Sequence, residues 1–173
     1  VPDPLNPRYS YGGGKIACEL AALAWARAVV LDRAVIARPH NIYGPDMGRE
    51  HVIPEFCLRM NDLARRPEYN GSGTAPEPIP FRIQGSGAET RSFCWIGDCT
   101  DQLALLLAEG APGEIYHVGT MSEITIARVA HQVAECYGRQ VKLEPGILPQ
   151  GSPPRRLPDI AKIARLAGGR MSH

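Results

Sequence analysis

Ala34-Val35-Ile36-Ala37-Arg38-Pro39-His40-Asn41-Ile42-Tyr43-Gly44-Pro45 is a short apolar run that stops in a proline-stiffened polar loop. A run of this length, with Val35 and Ile36 at its centre, reads as a strand buried on both faces, the kind found in parallel sheets. In an open α/β sheet, ligands bind in the loop beyond the carboxyl end of such a strand. Here that loop offers the donors and acceptors of His40 and Asn41. Asn41 and Gly44 also suit plain turn formation, because both residue types tolerate unusual backbone angles.

Upstream lies Tyr11-Gly12-Gly13-Gly14-Lys15, followed by Ile16, Leu20, Leu23, Ala24, Ala28 and Leu31 at helical spacing. A helix here stacks Tyr11 above Lys15 on one face, a phenol and an ammonium close enough to share one hydroxyl. A lone Tyr-x-x-x-Lys recurs by chance in many helices and carries no weight without support elsewhere. The glycines are a local conflict, since each costs about 1 kcal/mol against alanine in a helix interior. Either the helix starts near Lys15, or something approaches too closely for a Cβ. Val1 to Ser10 reads as extended, because Pro2, Pro4 and Pro7 disfavour helix in the residues before them.

Downstream, strands and helices alternate, which predicts an α/β fold. His51 to Arg66 reads as a helix with Ile53, Phe56, Cys57, Met60, Leu63 and Ala64 inward. Residues 67–80 read as a flexible surface connection around Asn70-Gly71-Ser72-Gly73. Phe81-Arg82-Ile83 and Ser92 to Ile96 read as strands, and Asp98 or Thr100 as the cap of a helix through Leu103, Leu106 and Leu107. Ile115 to Val118 is a strand. A helix capped near Thr125 runs through Ile126, Val129, Ala130 and Val133 to Gly138. Val141-Lys142-Leu143 is a further strand, and a last helix starts at Pro158-Asp159.

The 173 residues are 44% hydrophobic with a net charge of +1, enough for a sizeable core and no electrostatic case for a polyanion such as nucleic acid or an anionic membrane. No apolar run approaches a membrane span and the first residues are not a signal peptide, so a cytoplasmic location is expected. The five cysteines, Cys18, Cys57, Cys94, Cys99 and Cys136, lack metal-ligand spacing, so reduced and mostly buried thiols are expected and no metal site.

Tyr11-x-x-x-Lys15, Arg38-Pro39-x-Asn41-x-Tyr43-Gly44-Pro45, Gly85-x-Gly87-x-x-Thr90-Arg91-x-Phe93 with Asp98 behind it, and Arg156-x-Pro158-Asp159-x-x-Lys162 follow one another in the order of the extended short-chain dehydrogenase/reductases. More narrowly they resemble the NAD-dependent epimerase/dehydratase family acting on nucleotide sugars. Within it, Gly48-Arg49-Glu50-His51 with Phe56-Cys57 is most similar to GDP-mannose 3,5-epimerases, although those have a lysine where this chain has His51. UDP-glucuronate decarboxylases and dTDP-glucose dehydratases share most of the same motifs.

The resemblance implies a Rossmann-type parallel sheet, a small substrate domain and an NAD cofactor. Its glycine-rich strand-loop-helix phosphate cradle does not occur in this sequence. The chain is therefore expected to be a C-terminal part of a larger enzyme, inactive alone: residues 1–45 the last piece of the cofactor domain, 46–173 the substrate domain. The family's roles map Tyr11 and Lys15 to catalysis and, with Pro39 and His40, to the cofactor. His51 stands at a third catalytic position, where a solvated histidine at a helix start is the plain alternative. In the family Tyr11 would take and return a sugar hydroxyl proton while the sugar is transiently oxidised. A free phenol is a poor base at neutral pH, and a nearby lysine cation supports negative charge on its oxygen.

The nucleotide-diphosphate sugar maps to Asn41, Glu50, His51, Val52, Arg59, Glu89, Thr90, Arg91 and Arg156. Arg91 and Arg156 would take the diphosphate, since a guanidinium offers phosphate a bidentate fork. Ordinary surface salt bridges are the alternative, and Arg155 beside Arg156 leaves the choice of arginine open. Family members commonly dimerise through the Tyr/Lys helix, which implies a homodimer here. The competing reading is a non-catalytic fragment that binds a nucleotide sugar or a protein partner.

Overall fold

A computed structural model of the protein describes residues 10–28, 33–69, 78–149 and 151–169. The extended lead-in, Leu31 and the glycine-rich part of the connection fall outside them. The chain forms two compact units that interleave: residues 1–39, 97–118 and 160–173 make the first, and 40–96 and 119–159 the second. The boundary read from the sequence at 45/46 lies near the first crossing at 39/40. The later returns arise from long-range strand pairing and, after residue 160, from a helix that packs on residues 115–118.

In the first unit, α1 (Ser10–Arg27) precedes β1 (Ile36–Pro39). The apolar run at Ala34 becomes a strand two residues later than its sequence indicates. β1 pairs in parallel with β6 (Ile115–Val118), Ile36 opposite Ile115 and Pro39 opposite Val118. α3 (Ile96–Glu109) ends under Arg33, whose guanidinium donates to the carbonyls of Leu106 at 3.2 Å and Gly110 at 2.5 Å. A cation there satisfies the orphan carbonyls at a helix end. α5 (Ala161–Ala167) packs against β6. Its Lys162, part of the fourth motif, donates to the carbonyl of Ile115 at 2.9 Å, pairs with Glu114, and lies 4.5 Å from the centre of the Tyr116 ring.

α1 begins before its glycines, at Ser10, and none of its residues is buried. A Cβ built on Gly12, Gly13 or Gly14 meets nothing within 4 Å, so the helix does not start at Lys15 and no described residue of this chain crowds the glycines. Tyr11 is 75% exposed, Leu20 64% and Trp25 58%.

In the second unit, β3 (Ile79–Ile83) buries Ile79, Phe81 and Ile83 and exposes Pro80 and Arg82, the period of two expected of a half-buried strand. It pairs in parallel with β8 (Val141–Pro145). α2 (Val52–Ala64) contributes Phe56 and Met60 to the core, and α4 (Ile126–Cys136) contributes Val129, Ala130, Val133 and Ala134. Phe56 meets Phe81 edge to face at 5.1 Å. Thr125 caps α4, its hydroxyl accepting from the Arg128 amide at 3.1 Å.

The expected strand from Ser92 to Ile96 is two strands, β4 (Thr90–Ser92) and β5 (Cys94–Trp95), broken at Phe93. β5 pairs in parallel with β2 (Ile42–Tyr43). β4 is the middle of a three-stranded sheet between β7 (Glu123–Thr125) and β9 (Arg155–Arg156). Because β5 turns directly into α3 at Ile96, Asp98 and Thr100 lie inside that helix rather than at its cap. Two cysteines depart from the expected burial: Cys18 and Cys136 are exposed, while Cys94 and Cys99 are buried.

Candidate active site

The second unit holds an open cavity of about 560 Å³. It is shaped by the loop from Asn41 into α2, by the end of β3, by Glu89, Arg91 and Phe93 on and beside β4, and by residues 146–148, 152 and 156. Asn41, Glu50, His51, Val52, Arg59, Glu89, Arg91 and Arg156 all line it. Thr90 departs from the expected set, because alternation along β4 turns it away from its neighbours Glu89 and Arg91. Its hydroxyl donates to Glu123 instead.

Asn41 sits in the left-handed region with φ 42°, a conformation that asparagine tolerates better than most residues. Its side-chain amide donates to the carbonyl of Ser92 at 2.9 Å, and its carbonyl accepts from the Cys94 amide at 3.1 Å. The residue therefore forms the turn and also faces the cavity. Gly44 is required by close approach, since a Cβ there would lie 2.5 Å from the Ile96 side chain. His51 occupies the N-cap position of α2 with extended backbone and no side-chain cap bond, and is exposed.

Arg59 is held by Glu55 at 2.8 Å and donates to the Arg82 carbonyl at 2.6 Å, with its guanidinium 4.3 Å from the Phe81 ring centre. Glu89 closes its own turn by accepting from the amides of Ser86 at 3.1 Å and Gly87 at 2.8 Å. Burial works to raise the Glu89 carboxyl, but these backbone bonds outweigh it and hold it below the usual range. With Glu55 and Glu89 so engaged, Arg82, Arg91 and Arg156 line the cavity without a carboxylate ion pair among the described residues.

Arg91 is braced by the carbonyls of Thr90 at 2.6 Å, Pro153 at 3.1 Å and Pro154 at 3.3 Å. Burial pulls its guanidinium below the ordinary arginine value and the positive charge of Arg156 pulls the same way, against a smaller upward pull from the Glu89 carboxylate. Two cations facing one cavity are the electrostatic complement of a bound anion. Arg155 is excluded from this role because it pairs with Glu123 at 2.8 Å. Sequence reasoning gave no role to Arg82, Gln84, Ile147 or Leu148, which also line the cavity. The signal for the first two was the same alternation that buries Phe81 and Ile83.

Tyr11, Lys15 and Pro39 belong to the first unit and His40 to the second. Lys15 Nζ lies 5.4 Å from the centre of the Tyr11 ring, so the two share a helix face as their spacing requires. Arg38, at the end of β1, donates from Nε at 2.8 Å and Nη2 at 2.6 Å to the two carboxylate oxygens of Glu19, one helical turn beyond Lys15. The fork ties the Tyr/Lys helix to the strand. Among the described residues no group of His, Cys, Asp or Glu forms a metal cluster, and no helix is long and apolar enough to cross a membrane.

Parallel strand pairs crossed by helices define a mixed α/β protein of Rossmann type. The chain belongs to the NAD dependent epimerase/dehydratase family, whose sequence model matches residues 1–119. It is 32% identical over 135 residues to a dTDP-glucose 4,6-dehydratase of Streptomyces niveus, covering 78% of this chain and 35% of that protein. It is 29% identical over 132 residues to the dTDP-D-glucose 4,6-dehydratase of Homo sapiens, covering 76% and 33%. The crystal structure of a Streptomyces venezuelae dTDP-glucose 4,6-dehydratase with NAD bound superposes with a TM-score of 0.75 at 28% identity, covering 94% of this chain and 46% of that one. The chain thus spans a third to a half of the length of these relatives.

Proposed function

We propose that this chain forms part of an NAD-dependent nucleotide-sugar epimerase or dehydratase, and that its cavity holds the nucleotide diphosphate sugar. The observation that carries this reading is the pair of guanidiniums, Arg91 and Arg156, in one open cavity without a carboxylate ion pair among the described residues. Each would present its fork to diphosphate oxygens, and Asn41 and His51 would meet the sugar. Residues 46–173 would then serve mainly the substrate, and residues up to 45 the cofactor.

The residues present fit one end of NAD. Tyr11 and Lys15 share an exposed helix face, and the space around Gly12 to Gly14 is open. No glycine-rich strand-loop-helix cradle for its diphosphate occurs among the described residues. Tyr11 and Lys15, with Pro39 and His40, would border the ribose and nicotinamide. When bound, NAD supplies acceptance and return of hydride. Tyr11 would take the proton of a sugar hydroxyl at its phenol oxygen and give it back, while the Lys15 ammonium supports negative charge on that oxygen.

In the full-length protein with NAD, a panel of UDP-, dTDP- and GDP-sugars with products identified by NMR decides between elimination and epimerisation. Tyr11→Phe is expected to lower kcat by about 10²- to 10⁴-fold with little change in substrate affinity. Full turnover in that variant removes Tyr11 as the base. Arg91→Ala or Arg156→Ala is expected to weaken nucleoside diphosphate binding about 10- to 100-fold, and unchanged binding refutes the diphosphate assignment. A second reading, nucleotide-sugar binding without turnover, is favoured by one observation: every residue lining the cavity belongs to the second unit, whereas Tyr11 and Lys15 do not. It predicts sugar-nucleotide binding with no product from any member of the panel.

A further inference from the structure

Arg155 and Arg156 are adjacent, and the two residues of β9 are all that this strand contributes to its sheet. In parallel register Thr90 lies opposite Arg155 and Arg91 opposite Arg156. Register partners share a face and successive residues alternate, so the sheet separates the four side chains into two sets. Arg91 and Arg156 line the cavity, and Thr90 and Arg155 lie on the other face. Glu123 on β7 stands opposite Ser92 and therefore joins the second set. Its Oε1 accepts from Arg155 Nε at 2.8 Å and from the Thr90 hydroxyl, and its Oε2 accepts from Arg155 Nη2 at 2.8 Å.

We propose that Glu123 is a positioning residue: its fork to Arg155 and its bond to Thr90 lock β9 in register on β4, which aims Arg156 into the cavity beside Arg91. The inference rests on the reading that this arginine pair binds a diphosphate. β9 contributes only two residues to the ladder, and just before them the Thr90 amide donates to the Pro154 carbonyl at 2.8 Å. A one-residue slip would exchange the faces of Arg155 and Arg156. Isolated surface ion pairs count for little, but a bidentate arginine fork joined to a third group is the arrangement that does contribute. Two further observations agree. Both bonds hold the Glu123 carboxyl down to about 2, the Arg155 fork more than the Thr90 hydroxyl, so the clamp is charged at neutral pH. The carbonyls of Pro153 and Pro154, just before β9, also brace Arg91, so movement of β9 disturbs both arginines.

The test is inorganic pyrophosphate binding by the full-length protein, measured by calorimetry alongside the melting temperature. Glu123→Gln and Arg155→Gln are each expected to raise the Kd about 3- to 10-fold at near wild-type melting temperature, and Thr90→Val about 2-fold. The reciprocal exchange, Glu123→Arg with Arg155→Glu, restores the fork in reverse and is expected to bring the Kd back to within about 2-fold of wild type. Affinity lost and regained at near wild-type melting temperature is something a merely structural role would not produce. Arg156→Gln reports on the underlying reading and is expected to lose more than about 10-fold. Wild-type binding in Glu123→Gln and Arg155→Gln, with binding lost in Arg156→Gln, overturns the clamp and leaves the diphosphate site standing. Failure of the exchange to restore affinity also overturns the clamp, and wild-type binding in Arg156→Gln overturns both. If Glu123→Gln does not fold, Thr90→Val and the exchange carry the same decision.

Discussion

Arg38 was visible as part of a motif, but its work depends on Glu19, which no motif marks. The fork between them raises the Arg38 guanidinium and lowers the Glu19 carboxyl, each chiefly through the shared hydrogen bonds. Arg38→Lys keeps the charge and loses the fork, so it is expected to cost about 0.5–1 kcal/mol in denaturant unfolding. A variant as stable as wild type would leave the fork without a role. The pH dependence follows from the sign of the shift. A carboxyl held below its ordinary 4.5 stabilises the fold above that value and loses its contribution as pH falls through the folded value. Glu19 and Glu89 both shift this way, so stability should decline as pH drops below about 4.5, and less steeply in Glu19→Gln. Thr90 was assigned to the substrate through its motif. Alternation with Arg91 was present in the sequence and points the other way.

Among the elements, α4 was the most legible, because its apolar residues recur every three or four positions and Thr125 stands where a cap belongs. Thr125→Ala is expected to lower stability by about 1 kcal/mol, read as a shifted unfolding midpoint at unchanged slope. No shift would mean that core burial alone holds the helix start. The division of β4 from β5 was not legible. The run from Ser92 to Ile96 has strand character throughout, and the break at Phe93 comes from β5 pairing with β2 while β4 pairs with β7 and β9. Such pairings depend on residues far away in sequence. The start of α1 misled for a related reason: the glycine penalty is real, but it acts on helix stability rather than on where the helix begins.

At the scale of the whole molecule, the α/β class and the arginine-lined cavity could be anticipated from alternating patterns and spaced motifs. The interleaving of the two units could not, since only the β1–β6 pairing reveals it. The helical spacing of Ile16, Leu20 and Leu23 in α1 suits packing against a neighbour, yet in this chain Leu20 is exposed, as is Trp25, which that spacing leaves out. Exposed apolar surface binds hydrophobic dyes such as ANS. The 173-residue chain should therefore enhance ANS fluorescence, and Leu20→Glu with Trp25→Glu should remove much of the signal. Equal fluorescence before and after would place the dye elsewhere.

The pairing of Ile36 with Ile115 also sets an order of events during synthesis. The intervening 115 − 36 = 79 positions take roughly 4–16 s to emerge from a ribosome at ordinary rates. Through that interval β1 has no partner strand among the described residues. The second unit is complete once residue 159 has emerged, whereas the first still awaits α5 (Ala161–Ala167). Of the two units, the first is thus the later to close, and the helix bearing Tyr11 and Lys15 gains the β1–β6 pair and α5 only after the arginine cavity exists.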